Sequence, residues 1–181
     1  MLRSMFGSFV LAVMTAVALG AGRSVAQPVS PQASSYQGRT VTDANKARVE
    51  SALNAWMTGD GTALQALLDD GIEWTIAGNS LASGTTHGRA ELNAKVLGPF
   101  GARFSQSPDR FRPRKIYGVY GDGDVVIAHF DAAGVANDGK PYANSYVWIL
   151  KMHGDKAVQA TAFFDSIAFD ALWRRVAPAR N

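Results

Sequence analysis

Three side chains in the later part of the sequence could move protons: His129, Asp131 and Asp165. An imidazole titrates near neutrality and a carboxylate near pH 4, so burial or a charged neighbour can tune either for general acid–base work. Their spacing matters as much as their types. His129 and Asp131 are two residues apart, which in an extended strand puts both on one face. Asp165 follows a run of alternating apolar residues and precedes Ser166, a strand end leading into a helix start. There it serves either as an acid at a helix N-terminus or as a desolvated carboxylate with a raised pKa. Arg114 offers a cation to this group, either as a salt-bridge partner of Asp131 or as a member of the site.

The elements that must position these groups centre on Tyr142 to Asp165, YANSYVWILKMHGDKAVQATAFFD. Two aromatic-rich runs flank His153-Gly154-Asp155-Lys156, a β-hairpin turn by composition. With Gly154-Asp155 as loop residues, Asn144 faces Asp165, Tyr146 faces Phe163 and Trp148 faces Thr161. Upstream, Asn137-Asp138-Gly139-Lys140 reads as a second two-residue hairpin turn. It places His129 beside Trp148 and Asp131 beside Tyr146. The expectation is therefore one concave face that gathers His129, Asp131, Asn144, Tyr146, Trp148, Thr161, Phe163 and Asp165. Polar groups framed by aromatics describe a small-molecule cavity. Trp74, on the apolar side of Ile72–Ile76, is expected to join the ligand contacts together with Arg114, Asn144, Tyr146, Trp148 and Phe163.

Residues 1–26 have the three-part pattern of a signal peptide: Arg3, the apolar run Met5–Leu19, and Ser24-Val25-Ala26 before a cleavage point. The run is shorter than the roughly 20 residues that span a bilayer, so no stable membrane anchor is expected after cleavage. Residues 27–40, rich in Pro, Ser and Gln, read as a disordered leader. One domain is expected over 41–178. The chain has 18 basic and 15 acidic residues, and cleavage removes Arg3 and Arg23, leaving an excess of one positive charge. No basic cluster marks a nucleic-acid partner. Cysteine is absent, which excludes disulfides, thiolate metal sites and a cysteine nucleophile. No metal or organic cofactor is expected, and export to a bacterial periplasm is.

Apolar residues at helical spacing predict a first helix from Thr42 or Asp43 carrying Val49, Ala52, Leu53, Trp56 and Met57. A short second helix holds Leu64, Leu67 and Leu68, and a third runs from Arg89 until Gly98-Pro99 bends or breaks it. Gly78–Gly88 reads as loop. Strands are predicted at Ile72–Ile76, Arg114–Tyr120, Val125–Val135, Tyr142–Met152 and Ala157–Asp165, and a last helix carries Phe169, Leu172, Trp173 and Val176. The fold class is α+β, a curved antiparallel sheet forming a cone with the N-terminal helices on its concave face. The other face is apolar enough to make a homodimer plausible.

The run GKPYANSYVWIL…DKAVQATAFFD is similar to the G-x-x-Y-x-N-x-Y…GKI…D run of SnoaL-like, ketosteroid-isomerase-related proteins. The chain thus resembles the superfamily of nuclear transport factor 2 over roughly Asp43 to Val176. A weaker resemblance is to limonene epoxide hydrolase, whose Arg-x-Asp and later Asp match His129-x-Asp131 and Asp165; its Tyr-x-Asn on the first strand has no counterpart. The resemblance implies a cofactor-independent acid–base isomerase, dehydratase or hydrolase acting on a small apolar molecule. In that reading Asp165 shuttles a proton with His129 or Asp131. The substituted arginine and missing Tyr-x-Asn support the alternative, a non-catalytic ligand-binding or protein-interaction module.

Overall fold

The structure is a computed structural model and describes residues 31–104 and 109–179; the expected signal peptide and residues 27–30 lie outside them. Helix α1 (Pro31–Met57) leads into α2 (Thr62–Leu67), then strands β1 (Leu68–Ile76) and β2 (Gly84–His87). Next come α3 (Arg89–Leu92), a π-helical turn (Asn93–Leu97) and α4 (Gly98–Gly101), then β3 (Arg112–Asp122), β4 (Val125–Val135), β5 (Pro141–His153), β6 (Lys156–Phe164) and α5 (Ser166–Arg175).

The strands form one curved six-stranded sheet in the order β2-β1-β6-β5-β4-β3. It is not wholly antiparallel as expected, because β1 runs parallel to β6. Of the meander's two free edges, β1 docks on that of β6. Strand β2, read as loop from its Gly, Ser and Thr content, pairs with β1 at the sheet's edge, where pairing to one neighbour suffices and side-chain packing matters little.

Helix α1 starts about three turns before the expected Thr42, so residues 31–40 are helical where composition suggested a leader. Pro31 suits a first helical position because its missing N–H has no intrahelical partner there. Thr42, rather than capping, accepts from the N–H of Gly123 at 2.9 Å, and Asn45 donates to Gly123 O at 3.1 Å. These bonds tie α1 to the β3–β4 turn. Val49, Ala52 and Leu53 are buried against the sheet as their spacing requires.

At Gly98-Pro99 the helix widens instead of breaking. The N–H of Gly98 reaches back to Asn93 O, the i→i−5 pattern of a π-turn. A Cβ on Gly98 would lie 2.6 Å from that carbonyl, so the turn needs glycine there. The helices cover one sheet face: α1 on β3 and β4, α2 on β1 and β6, α5 on β5. Ile72, Trp74, Ile76, Val126, Ala128, Phe130, Tyr146, Trp148 and Leu150 point into that core.

Candidate functional site

Between the helices and the concave sheet face lies a cavity of about 380 Å³. Trp56 from α1 stacks on Trp148 from β5, centroids 6.1 Å apart and planes 15° apart. Trp74 from β1 meets Trp148 edge-on at 5.2 Å. At the other end Phe100 stacks on Phe169 at 5.6 Å and meets Phe111 edge-on at 4.9 Å. Leu64, Ile76, Val96, Leu97, Phe104, Ala162 and Phe164 complete the apolar side chains of the wall, and its polar side chains among the described residues are Gln65, Arg110 and Tyr146. Among the described residues no carboxylate lines it.

The expected site divides between two faces. Trp74, Tyr146 and Trp148 line the cavity. Asn144 is buried beside its wall. His129, Asp131 and Phe163 point the other way, out of the sheet. The reason is register. The β4–β5 loop holds three residues, Asn137-Asp138-Gly139, between Ala136 and Lys140, whose backbones bond at 2.9 Å. Gly139 has φ +77°, the left-handed position of a type I turn with a bulge. His129 therefore pairs with Val147 and Asp131 with Ser145. One residue of slip turns each side chain to the opposite face.

Beyond the β5–β6 turn the expected pairing of His153 with Lys156 holds. A bulge then shifts the register, so that Trp148 pairs with Ala162 and Tyr146 with Phe164. Phe163 lands outside, 44% exposed. Strand β3 is irregular on either side of Arg114 and at Tyr117. Arg114 pairs with neither Asp131 nor His129: its Nε donates to Ala133 O at 3.2 Å.

Asp165 is the N-cap of α5. Its Oδ1 accepts from the backbone N–H groups of Ile167 at 2.8 Å and Ala168 at 3.4 Å, and the side chain is exposed. It faces Asn144 through its backbone alone: Asp165 N–H donates to Asn144 Oδ1 at 3.0 Å, and Asn144 Nδ2 donates to Asp165 O at 2.9 Å. The expected unit of Asp165 with His129 or Asp131 is thus not assembled: two members lie outside the sheet and the third caps a helix.

Outside, the Tyr117 ring stacks on His129 at 4.5 Å and its hydroxyl donates to Asp131 at 2.7 Å. Ser145 also donates to Asp131. These two bonds, Ser145's first, hold the Asp131 carboxyl below its ordinary value, and the same contact raises Tyr117. Inside, Tyr142 and Tyr146 share a hydrogen bond of 3.1 Å, and burial pushes both phenols up, Tyr146 well above its usual range. Tyr142 escaped the sequence reading although it belongs to the Y-x-N-x-Y run. Phe169 gave only the signal of core spacing. Among the described residues no three metal-ligating side chains come together.

A family model described as a SnoaL-like domain matches residues 49–160. No curated protein matches the chain. Among solved structures it is similar to Bal32a from a soil-derived mobile gene cassette, at 22% identity over 74% of this chain and 98% of that one, with a TM-score of 0.60. A protein of unknown function with a cystatin-like fold from Xanthomonas campestris shares 24% identity over 71% and 98%, TM-score 0.58. An LEH-like epoxide hydrolase from M. tuberculosis shares 17% over 74% and 92%, TM-score 0.51. At these identities the likeness is one of fold.

Proposed function

The chain belongs to the SnoaL-like domain family, and within it we propose a protein that binds a small, largely apolar molecule between its helices and its sheet. One observation carries this reading: an aromatic cavity of about 380 Å³ whose lining, among the described residues, holds three tryptophans and no carboxylate. Flat apolar ligands gain most from such walls. Proton shuttling by Asp165, His129 or Asp131 has no group on the cavity wall to rest on, which favours binding over turnover.

Fluorene, a flat hydrocarbon, should quench tryptophan emission saturably, and filling the wall with Ala162→Leu should weaken that quenching about tenfold or more. Quenching that never saturates, or that ignores this substitution, refutes the reading.

We also propose a homodimer through the outer sheet face. Ile149 and Phe163 are 37% and 44% exposed there. Both oxygens of Asp131 on that face are already bonded to Tyr117 and Ser145, so a second copy covering them leaves that carboxylate partnered. Sedimentation should give a dimer that Phe163→Glu converts to monomer; a monomeric wild type refutes it. Export with loss of residues 1–26 belongs to the same proposal, and secreted protein that still begins at Met1 would contradict it.

A further inference from the structure

Arg114 and Asp131 carry opposite charges on adjacent strands, yet each is bonded elsewhere. Pro113 pairs with Ala132 and Lys115 with Asp131, and the irregularity between those pairs leaves Arg114 out of the regular ladder. Its Nε donates to Ala133 O at 3.2 Å, which draws the guanidinium along β4 to the level of Ala133. That is two residues, about 7 Å, from the level of Asp131. Asp131 accepts from the Tyr117 hydroxyl at 2.7 Å and from Ser145. Both charges line one groove of about 280 Å³, with Ser145 and three alanines, Ala132, Ala133 and Ala143. The alanines leave open the space that longer side chains would fill.

The free donors and acceptors define what the groove can take. A guanidinium has five N–H donors. The Nε–H is used on Ala133 O, which leaves the two terminal nitrogens as a fork that can meet a carboxylate through two parallel bonds. An ionised carboxylate has about four acceptor sites. Tyr117 and Ser145 use two, so Asp131 can still accept from a cation. The bonds from Ser145 and Tyr117 hold its carboxyl below the ordinary value, so it is ionised at neutral pH. The other basic groups near it are engaged differently. Lys115 Nζ lies over the Tyr117 ring, 4.2 Å from its centroid, and His129 stacks on that ring at 4.5 Å. Neither lines the groove.

An anion in this groove would meet Arg114 but face the like charge of Asp131, and a cation would meet the reverse. A molecule that carries both charges a short distance apart satisfies each end. In an α-amino acid a single carbon separates them, which suits a span too long for a direct ion pair. We propose that this groove binds a free α-amino acid with a small apolar side chain, its carboxylate on the Arg114 fork and its ammonium on Asp131. The site opens on the opposite side of the sheet from the aromatic cavity, and both of its charges belong to one copy. It therefore rests on neither the cavity reading nor the dimer.

A second copy over the outer face would close or block the groove, so binding is measured on the full chain and on its Phe163→Glu variant. L-Alanine should shift the backbone amide resonances of Ala133, Ala143 and Ser145 saturably in at least one of the two. N-Acetyl-L-alanine lacks the ammonium and L-alaninamide lacks the carboxylate. Each should bind about tenfold more weakly or worse, the loss of one hydrogen bond to a charged group. Arg114→Gln should erase the preference for alanine over alaninamide, and Asp131→Asn the preference over N-acetylalanine, which a general loss of folding would not do. Ala143→Leu fills the groove, keeps both charges and should abolish the shifts. No saturable shift in either form overturns the proposal, as does equal affinity for the three compounds. Alanine affinity unchanged in both Arg114→Gln and Ala143→Leu overturns it too.

Discussion

Strands β3, β4 and β5 carry two polar clusters back to back, and the contrast between them explains the site. On the inner face, Asn144, Tyr142 and Tyr146 are buried, neutral and linked in one chain of bonds. On the outer face, Tyr117, His129, Asp131 and Ser145 are partly or fully open to water and centre on a carboxylate. Both clusters use tyrosine hydroxyls, yet burial pushes the inner phenols up, whereas hydrogen bonds pull Asp131 down. The lesson is about environment. An apolar cavity tolerates groups that stay uncharged, and the charged members of the set end where water solvates them.

If the inner face is the structural and binding face, damage there should dominate. The largest effect belongs to Trp148→Ala. Its ring packs against Trp56, Trp74 and Phe130, and truncation should cost about 3–5 kcal/mol in a denaturant melt. A loss under 1 kcal/mol would mean that the wall is loosely packed.

Next comes Asn144→Ala, which strands both backbone groups of Asp165. The expected cost is about 1–3 kcal/mol, with the β6–α5 junction opening first in hydrogen exchange. Protection there equal to wild type would show that the junction is held by other contacts.

Asp165 separates capping from chemistry. Asp165→Ala should cost about 0.5–2 kcal/mol, whereas Asp165→Asn, also a good N-cap, should be close to wild type. Fluorene affinity should be the same in both. A loss of affinity in Asp165→Asn would bring the carboxylate back toward the cavity.

The smallest effect is on the outer face. Asp131→Asn should cost a few tenths of a kcal/mol, as for exposed polar pairs. The Asp131 carboxyl is lowered in the folded state, so its contribution is complete above the unfolded value near pH 4. It is lost as pH falls through the lower folded value. The gap between wild type and Asp131→Asn should therefore be constant above about pH 4 and shrink below it. A gap that widens in acid would contradict the bonding pattern.

Much of the fold was legible in the sequence because it depends on period alone. The helical stripe Val49, Ala52, Leu53, Trp56 identified the buried side of α1, and the alternation Ile72, Trp74, Ile76 identified the buried side of β1. The meander β3 to β6 followed from its turn residues. Three cavity residues, Trp74, Tyr146 and Trp148, were among those expected, since each lies on an unambiguous apolar alternation. Strand β2 was not legible, because an edge strand of Gly and Thr has the composition of a loop.

By itself, the sequence determined which residues alternate with which along each strand. It therefore determined that Asn144, Tyr146 and Trp148 share a face, and that His129 and Asp131 share one. Only the tertiary structure decided that these are opposite faces. That outcome hangs on one extra loop residue at Asn137-Asp138-Gly139, and a bulge in the β5–β6 ladder sends Phe163 outward in the same way. Side chains on a strand have a period of two, so a single inserted residue reverses a whole strand's facing relative to its neighbour. Burying Phe130 beside Trp148 and Tyr146, in place of His129 and Asp131, is the packing gain that selects this register.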